Sequence, residues 1–343
     1  MVGDKIRYSF LRSRNIASIA LARSKRSPGT VLLLTAMLSS GAAQVAPQPT
    51  GRLVAFDLER EMYVSTWVHP PVWSGGLLLR FEDNLTSSPL IDIVDRNLKH
   101  DTLSFDIKGA SMINIRSVAA GADGTILVGG SAFSPDSKRA GFIARISEDL
   151  KNRTIIQTEP FCAESVALAT DGTIWAVGLI FDGAEGRNNT HNVIQRYDAS
   201  GARLSSKQVP DAMAWTGTPV TADLASRLLA SRDRVGWLTN ASQYIEYTLG
   251  GDELNRFWPP EGMNQQGVLD GVALSSNNDL ILGRKGARGT EFLALDRAAK
   301  AWHPVSLSGR TSDYGVSILG FDSDTLVATT VPGTLRRFRE SSK

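Results

Sequence analysis

Ser165–Gly178 reads SVALATDGTIWAVG, two short apolar runs on either side of an Asp-Gly pair. Apolar runs of this length flanked by turn residues predict strands, and Asp-Gly supplies the positive φ that a tight hairpin bend needs. The same plan recurs at Ser117–Gly130 (SVAAGADGTILVGG), Gly271–Arg284 (GVALSSNNDLILGR) and Gly315–Thr329 (GVSILGFDSDTLVAT). A period in the forties of residues, with strand and turn content in every copy, is the pattern of a β-propeller blade.

Working outward from these copies divides the chain into blades. Gly51–Leu58 (GRLVAFDL) reads as a strand, and Glu61–Val68 with Gly75–Phe81 as a pair separated by His69-Pro70-Pro71. Pro89–Val94 and Thr102–Ile107 complete four strands, which leaves Gly51–Leu58 as a surplus. Further blades are expected from about Ile115 to Thr158, Ala163 to Val209, Ser226 to Trp258 and Asp270 to Leu307. The final blade supplies only YGVSILG, TLVATT and TLRRFRE. Placing the surplus first strand as the outer strand of that blade closes the ring and removes two exposed edges. The expected fold is therefore all-β, a six-bladed β-propeller closed by an N-terminal strand completing the last blade.

The first 43 residues read differently. Lys5, Arg7, Arg12, Arg14, Arg23, Lys25 and Arg26 stand against one acid, Asp4, and are followed by VLLLTAML (Val31–Leu38) and a small-residue run ending at Ala43. A basic region, a short apolar core and a small-residue exit predict a secretory signal peptide over 1–43; an uncleaved signal anchor is the alternative. Gln44–Thr50 is a polar spacer, and 51–343 a single propeller domain. Beyond residue 43 the chain holds 30 basic and 34 acidic residues, so the formal net charge of +2 over all 343 residues belongs to the leader. That balance argues against nucleic-acid binding. No apolar window of spanning length follows the leader, so no integral membrane span is expected after cleavage. Export places the domain in the periplasm or outside the cell.

Chemistry-bearing residues are few. Cys162 is the one cysteine, which excludes an internal disulfide, and it is expected to be buried or to line a turn. The acids of Asp123-Gly124, Asp171-Gly172 and Asn277–Asp279 are expected to serve the turns that contain them. Trp175, Trp237, Phe142 and Phe292 fall where they would wedge between blades as core. Phosphate-loop, zinc-protease and nucleophile-elbow motifs do not occur.

Through SVALATDGTIWAVG and VIQRYDASGARL (Val193–Leu204) the chain resembles NHL-type propeller repeats and related six-bladed families, from about Arg52 to Arg339. The resemblance implies the fold; such families include binding modules, scaffolds and enzymes. Leu269-Asp270-Gly271-Val272-Ala273 also resembles the stretch that opens an innermost strand in the gluconolactonase/senescence-marker-protein family. There the acid helps hold a divalent metal above the channel. By repeat alignment Glu164 matches Asp270, while Arg116, Ser226 and Tyr314 share the register.

The leading expectation is an exported, non-catalytic binding or scaffold protein. Its loop-bearing channel face would include Arg116, Tyr314 and His191 and would contact a protein, peptide or glycan, with no cofactor. Two long loops, Ser131–Ala140 and Ile180–His191, are expected to enlarge that face. The alternative is a metal-dependent, lactonase-like hydrolase. Glu164 and Asp270 would then hold Ca²⁺ or another hard cation, with Asp270 doubling as general base. An Arg116–Glu164 pair would instead be a structural salt bridge needing no metal.

Overall fold

The structure is a computed structural model that describes residues 54–63, 71–81, 85–97, 99–181, 190–212, 227–239, 243–259, 269–286, 289–308, 316–330 and 334–340. The leader and spacer expected over 1–50 lie outside the described residues. Among the described residues there are 24 strands and no helix.

The chain opens with β1 (Val54–Tyr63). A first antiparallel meander follows, β2 (Val72–Ser74), β3 (Leu77–Phe81), β4 (Leu90–Val94) and β5 (His100–Ser104). The second consists of β6 (Met112–Ala120), β7 (Ile126–Phe133), β8 (Arg139–Ile146) and β9 (Arg153–Gln157). The third contains β10 (Phe161–Leu168), β11 (Ile174–Ile180), β12 (Thr190–Tyr197) and β13 (Arg203–Gln208). The fourth contains β14 (Arg227–Ala230), β15 (Arg234–Leu238), β16 (Tyr244–Thr248) and β17 (Glu253–Phe257). These are four separate four-stranded sheets, and the molecule is all-β with a propeller-like arrangement of small sheets.

The last strands pair into one continuous system. It comprises β18 (Leu269–Leu274), β19 (Leu280–Gly286), β20 (Gly289–Asp296), β21 (Ala301–Leu307), β22 (Val316–Asp322), β23 (Thr325–Thr330), β24 (Thr334–Glu340) and β1. Consecutive strands within β18–β21 and within β22–β24 are antiparallel. The two runs meet through a parallel bridge, Gly271 to Ile318. β1 pairs antiparallel with β24 from Phe56↔Glu340 to Tyr63↔Thr334, and its first residues run parallel to β21 at Val54↔Val305.

Two differences from the sequence reading lie at the start of the fold. Glu61–Tyr63 does not begin a separate strand; it continues β1 across a register shift between Leu58 and Arg60. The polar LERE stretch interrupts the alternation, but a bulge absorbs the misfit and the ladder continues. The partner of β3 is therefore the short β2, not a strand over Glu61–Val68. Gly75 and Gly76, expected to open a strand, form the two-residue bend between β2 and β3, with φ of +58° and +82°. Both central residues of such a bend need positive φ.

Apolar layers lie between neighbouring sheets, as expected for inward-facing strand positions. Trp175, Val177 and Ile194 pack on Leu228, Val235 and Trp237, joining the third sheet to the fourth. Trp73, Leu78 and Val94 pack on Leu319, Val327 and Leu335, joining the first sheet to the end of the chain. The four aromatics assigned to the core, Trp175, Trp237, Phe142 and Phe292, are all buried. Each such side chain contributes roughly 1.5–3 kcal/mol of apolar burial.

Candidate functional site

The first strand of each meander lines a common channel of about 670 Å³, with walls from β2, β6, β10, β14, β18 and β22. Hydroxyls tie the inner strands together. Ser74 Oγ donates to Ala120 O at 2.8 Å and accepts from Ala120 N at 3.0 Å. Ser117 Oγ accepts the backbone N–H of Val166 at 3.1 Å, and Ser165 Oγ that of Leu228 at 2.9 Å. Sequence reasoning missed this role, although its signal, the Ser-Val that begins two of the repeats, was in the quoted stretches.

At the end of the channel where the inner strands begin, three of the aligned residues share one backbone feature. Arg116 is the extra residue of a bulge between Ile115 and Ser117, and Glu164 of one between Ala163 and Ser165. Asp270 occupies the same place between Leu269 and Gly271. A bulge bends its strand and re-aims the side chain it carries. It also presses the inner backbone onto the second strand, which explains the glycines there. A Cβ on Gly130 would lie 2.1 Å from Asn114 O, and one on Gly178 would lie 1.9 Å from Cys162 O. On β22 the register shift falls between Ile318 and Gly320, at Leu319. Tyr314 and Ser226 lie outside the described residues, as does the side chain of Asp270.

Arg116 and Glu164 both line the channel, Arg116 exposed and Glu164 half-buried. Burial raises the Glu164 carboxyl above its ordinary value, and His191, Arg116 and Arg139 pull it partly back. His191, at the exposed start of β12, is thus within electrostatic reach of Glu164. Arg116 and Glu164 act on each other through space; no contact ion pair joins them among the described side chains. The structural salt bridge considered as an alternative to a metal is therefore not formed between these two described side chains.

Arg139 was not singled out by the sequence, since it falls in the polar Ser131–Ala140 stretch. That loop is shorter than expected: β7 extends to Phe133 and β8 begins at Arg139. The Arg139 guanidinium lies 3.8 Å over the Phe181 ring and 5.5 Å from that of Phe133, and its NH2 approaches Cys162 Sγ at 3.9 Å. Burial lowers its pKa. Cys162 is free and buried, with a thiol raised chiefly by burial, which makes it a poor nucleophile.

The turn acids behave as turn acids. Asp123 Oδ1 accepts Thr125 N at 3.1 Å and Asp171 Oδ1 accepts Thr173 N at 3.0 Å, while Gly124 and Gly172 hold φ of +77° and +81°. Among the described residues, no group of three or more His, Cys, Asp or Glu comes together as a metal site.

No family model matches the chain. No curated protein matches it either. A solved structure similar to it is a protein of unknown function from Bacteroides caccae, with a TM-score of 0.42 and 14% identity over 73% of this chain and 82% of that chain.

At the far end of the channel Asp322, buried, is clamped by Arg96 at 2.6 Å and Arg337 at 2.7 Å. This joins the β4–β5 turn to β22 and β24. Among the described residues no helix is long and apolar enough to cross a membrane.

Proposed function

We propose that this chain is an exported, six-bladed β-propeller that works as a non-catalytic binding protein through the mouth of its central channel. The count of six takes β18–β21 as one blade and β22–β24 with β1 as another. The antiparallel register of β1 on β24, the channel shared by six inner strands, and the apolar layer from Trp73 to Leu335 support that count. Closure by chain ends in one blade leaves only short, protected edges. Export rests on the composition of residues 1–43 and places the domain in the periplasm or outside the cell.

The observation that carries the binding reading is the placement of Arg116 and Glu164 on bulges beside an open channel. Concave sites with a few convergent polar groups are where proteins bind ligands. The partner classes are a protein, a peptide or a glycan. Purified residues 44–343 applied to peptide and glycan arrays test this. Binding should be abolished by Arg116→Glu and retained by Arg203→Glu on the exposed outer strand β13. Retention in both variants would overturn the mouth as the binding face.

The equivalent bulges of Glu164 and Asp270 favour a second reading, the metal-assisted lactonase-like hydrolase in which Asp270 is a ligand and general base. The described side chains fit a hard cation poorly. Around Glu164 stand two guanidinium groups and an imidazole, where Ca²⁺ would need several further oxygen ligands. A melting-temperature increase with Ca²⁺, Zn²⁺ or Mn²⁺ that disappears in Asp270→Ala would favour the hydrolase over the binding protein.

A further inference from the structure

Two opposite charges stand on consecutive sheets at the mouth without meeting. Arg116 and Glu164 are the extra residues of equivalent bulges on β6 and β10, and both line the channel. They act on each other through space, and neither side chain enters a hydrogen bond or a contact ion pair with a described residue. Elsewhere in the chain such groups do meet: Arg153 reaches Asp106 at 2.9 Å, and Arg256 reaches Asp211 at 2.7 Å.

His191 and Arg139 also act on Glu164 through space, and Arg139 makes its described contacts with Phe181, Phe133 and Cys162. An ionised carboxylate only accepts hydrogen bonds, and a guanidinium only donates them. The mouth therefore offers a ligand one acceptor end and one donor end, held on the scaffold rather than joined to each other. An anion held by Arg116 would be opposed by Glu164, and a cation held by Glu164 would be opposed by Arg116. A ligand carrying both charges answers the two residues at once.

We propose that the mouth of the channel binds a small amine–carboxylate zwitterion, the charge pattern of an amino acid or a short peptide with free ends. Its carboxylate lies on Arg116 and its ammonium on Glu164. This inference rests on the reading of the mouth as the binding face and names its ligand class. The planar guanidinium matches a carboxylate in a two-point fork, and an ammonium on a carboxylate makes the other charge-assisted hydrogen bond. A ligand with a single charge makes one of these and leaves the opposite residue unanswered.

Isothermal titration of residues 44–343 at low ionic strength and pH 7 with glycine, diglycine and triglycine tests it. N-acetyltriglycine and triglycinamide, each lacking one of the two charges, are the matched probes. At least one zwitterion should bind about tenfold or more tightly than both capped forms, as expected for one further hydrogen bond between charged groups. Arg116→Gln and Glu164→Gln should each remove that advantage, while Arg203→Gln on the outer strand β13 should leave it within about twofold. A capped form binding as tightly as the zwitterions, or an advantage that persists in Arg116→Gln or in Glu164→Gln, overturns the proposal. If a capped form binds as tightly and either variant removes that binding, the mouth remains a binding face and only the ligand class fails. If no probe binds at up to about 10 mM, the zwitterion proposal fails, and the arrays decide the binding reading separately.

Discussion

Ser165 and Leu228 belong to different sheets, yet the hydroxyl of the first accepts the backbone N–H of the second at 2.9 Å in a buried position. Ser117 does the same for Val166 one sheet earlier. The inner strands are thus joined by side-chain hydroxyls where no continuous ladder runs between sheets. Ser165→Ala should leave a buried donor unsatisfied and cost about 1–3 kcal/mol. Urea denaturation of the two proteins measures it, and a difference within about 0.5 kcal/mol would show that Leu228 N–H finds another partner.

Glycine at the second strand is set by the bulge opposite. In Gly178→Ala the new methyl would meet Cys162 O at 1.9 Å, a backbone atom that cannot step aside. We expect a loss of more than about 4 kcal/mol, among the largest single-residue effects. Gly172→Ala is the control, because nothing lies within 4 Å of its Cβ and only the φ of +81° opposes it. That cost should be about 1–2 kcal/mol. Equal melting temperatures for the two variants would contradict the close approach at the bulge.

Glu246 is fully buried and meets Arg234 at 3.2 Å and Arg297 at 2.7 Å, the latter from β20's end in the following sheet. Removing one member of a buried ionic group leaves the others uncompensated, so Glu246→Gln should cost about 3–5 kcal/mol. Little of that loss should be recovered in 1 M salt, since buried pairs are weakly screened. A loss under about 1 kcal/mol in guanidinium-free denaturation would mean the cluster behaves as a surface pair.

The pH dependence at the mouth follows from the raised Glu164 carboxyl. Between its ordinary value of 4.5 and the higher folded value, the folded state binds more protons than the unfolded one. Stability therefore falls as pH rises through that window. The groups opposing the shift are His191, Arg116 and Arg139. Wild type and Glu164→Gln compared by thermal melting from pH 4 to pH 7 should diverge, with the variant gaining relative stability at the higher pH. Parallel curves would place Glu164 in a fully solvated setting.

What could be read directly was local. Asp-Gly at 123 and 171 announced the bends because only a few residues accept positive φ, and alternating apolar residues announced strands because a pleat turns each successive side chain to the opposite face. Burial of Trp175 and Trp237 followed from the same pattern. The equivalence of Arg116, Glu164 and Asp270 was visible as a repeat position, although the bulge that makes them equivalent was not. Three things required the assembled chain. A bulge carried β1 through a polar interruption, serine hydroxyls joined residues 49 and 63 positions apart, and Arg139 came within electrostatic reach of Glu164 from another sheet. Each depends on which backbones approach one another across sheets, and that is settled by packing distance rather than by residue type along the chain.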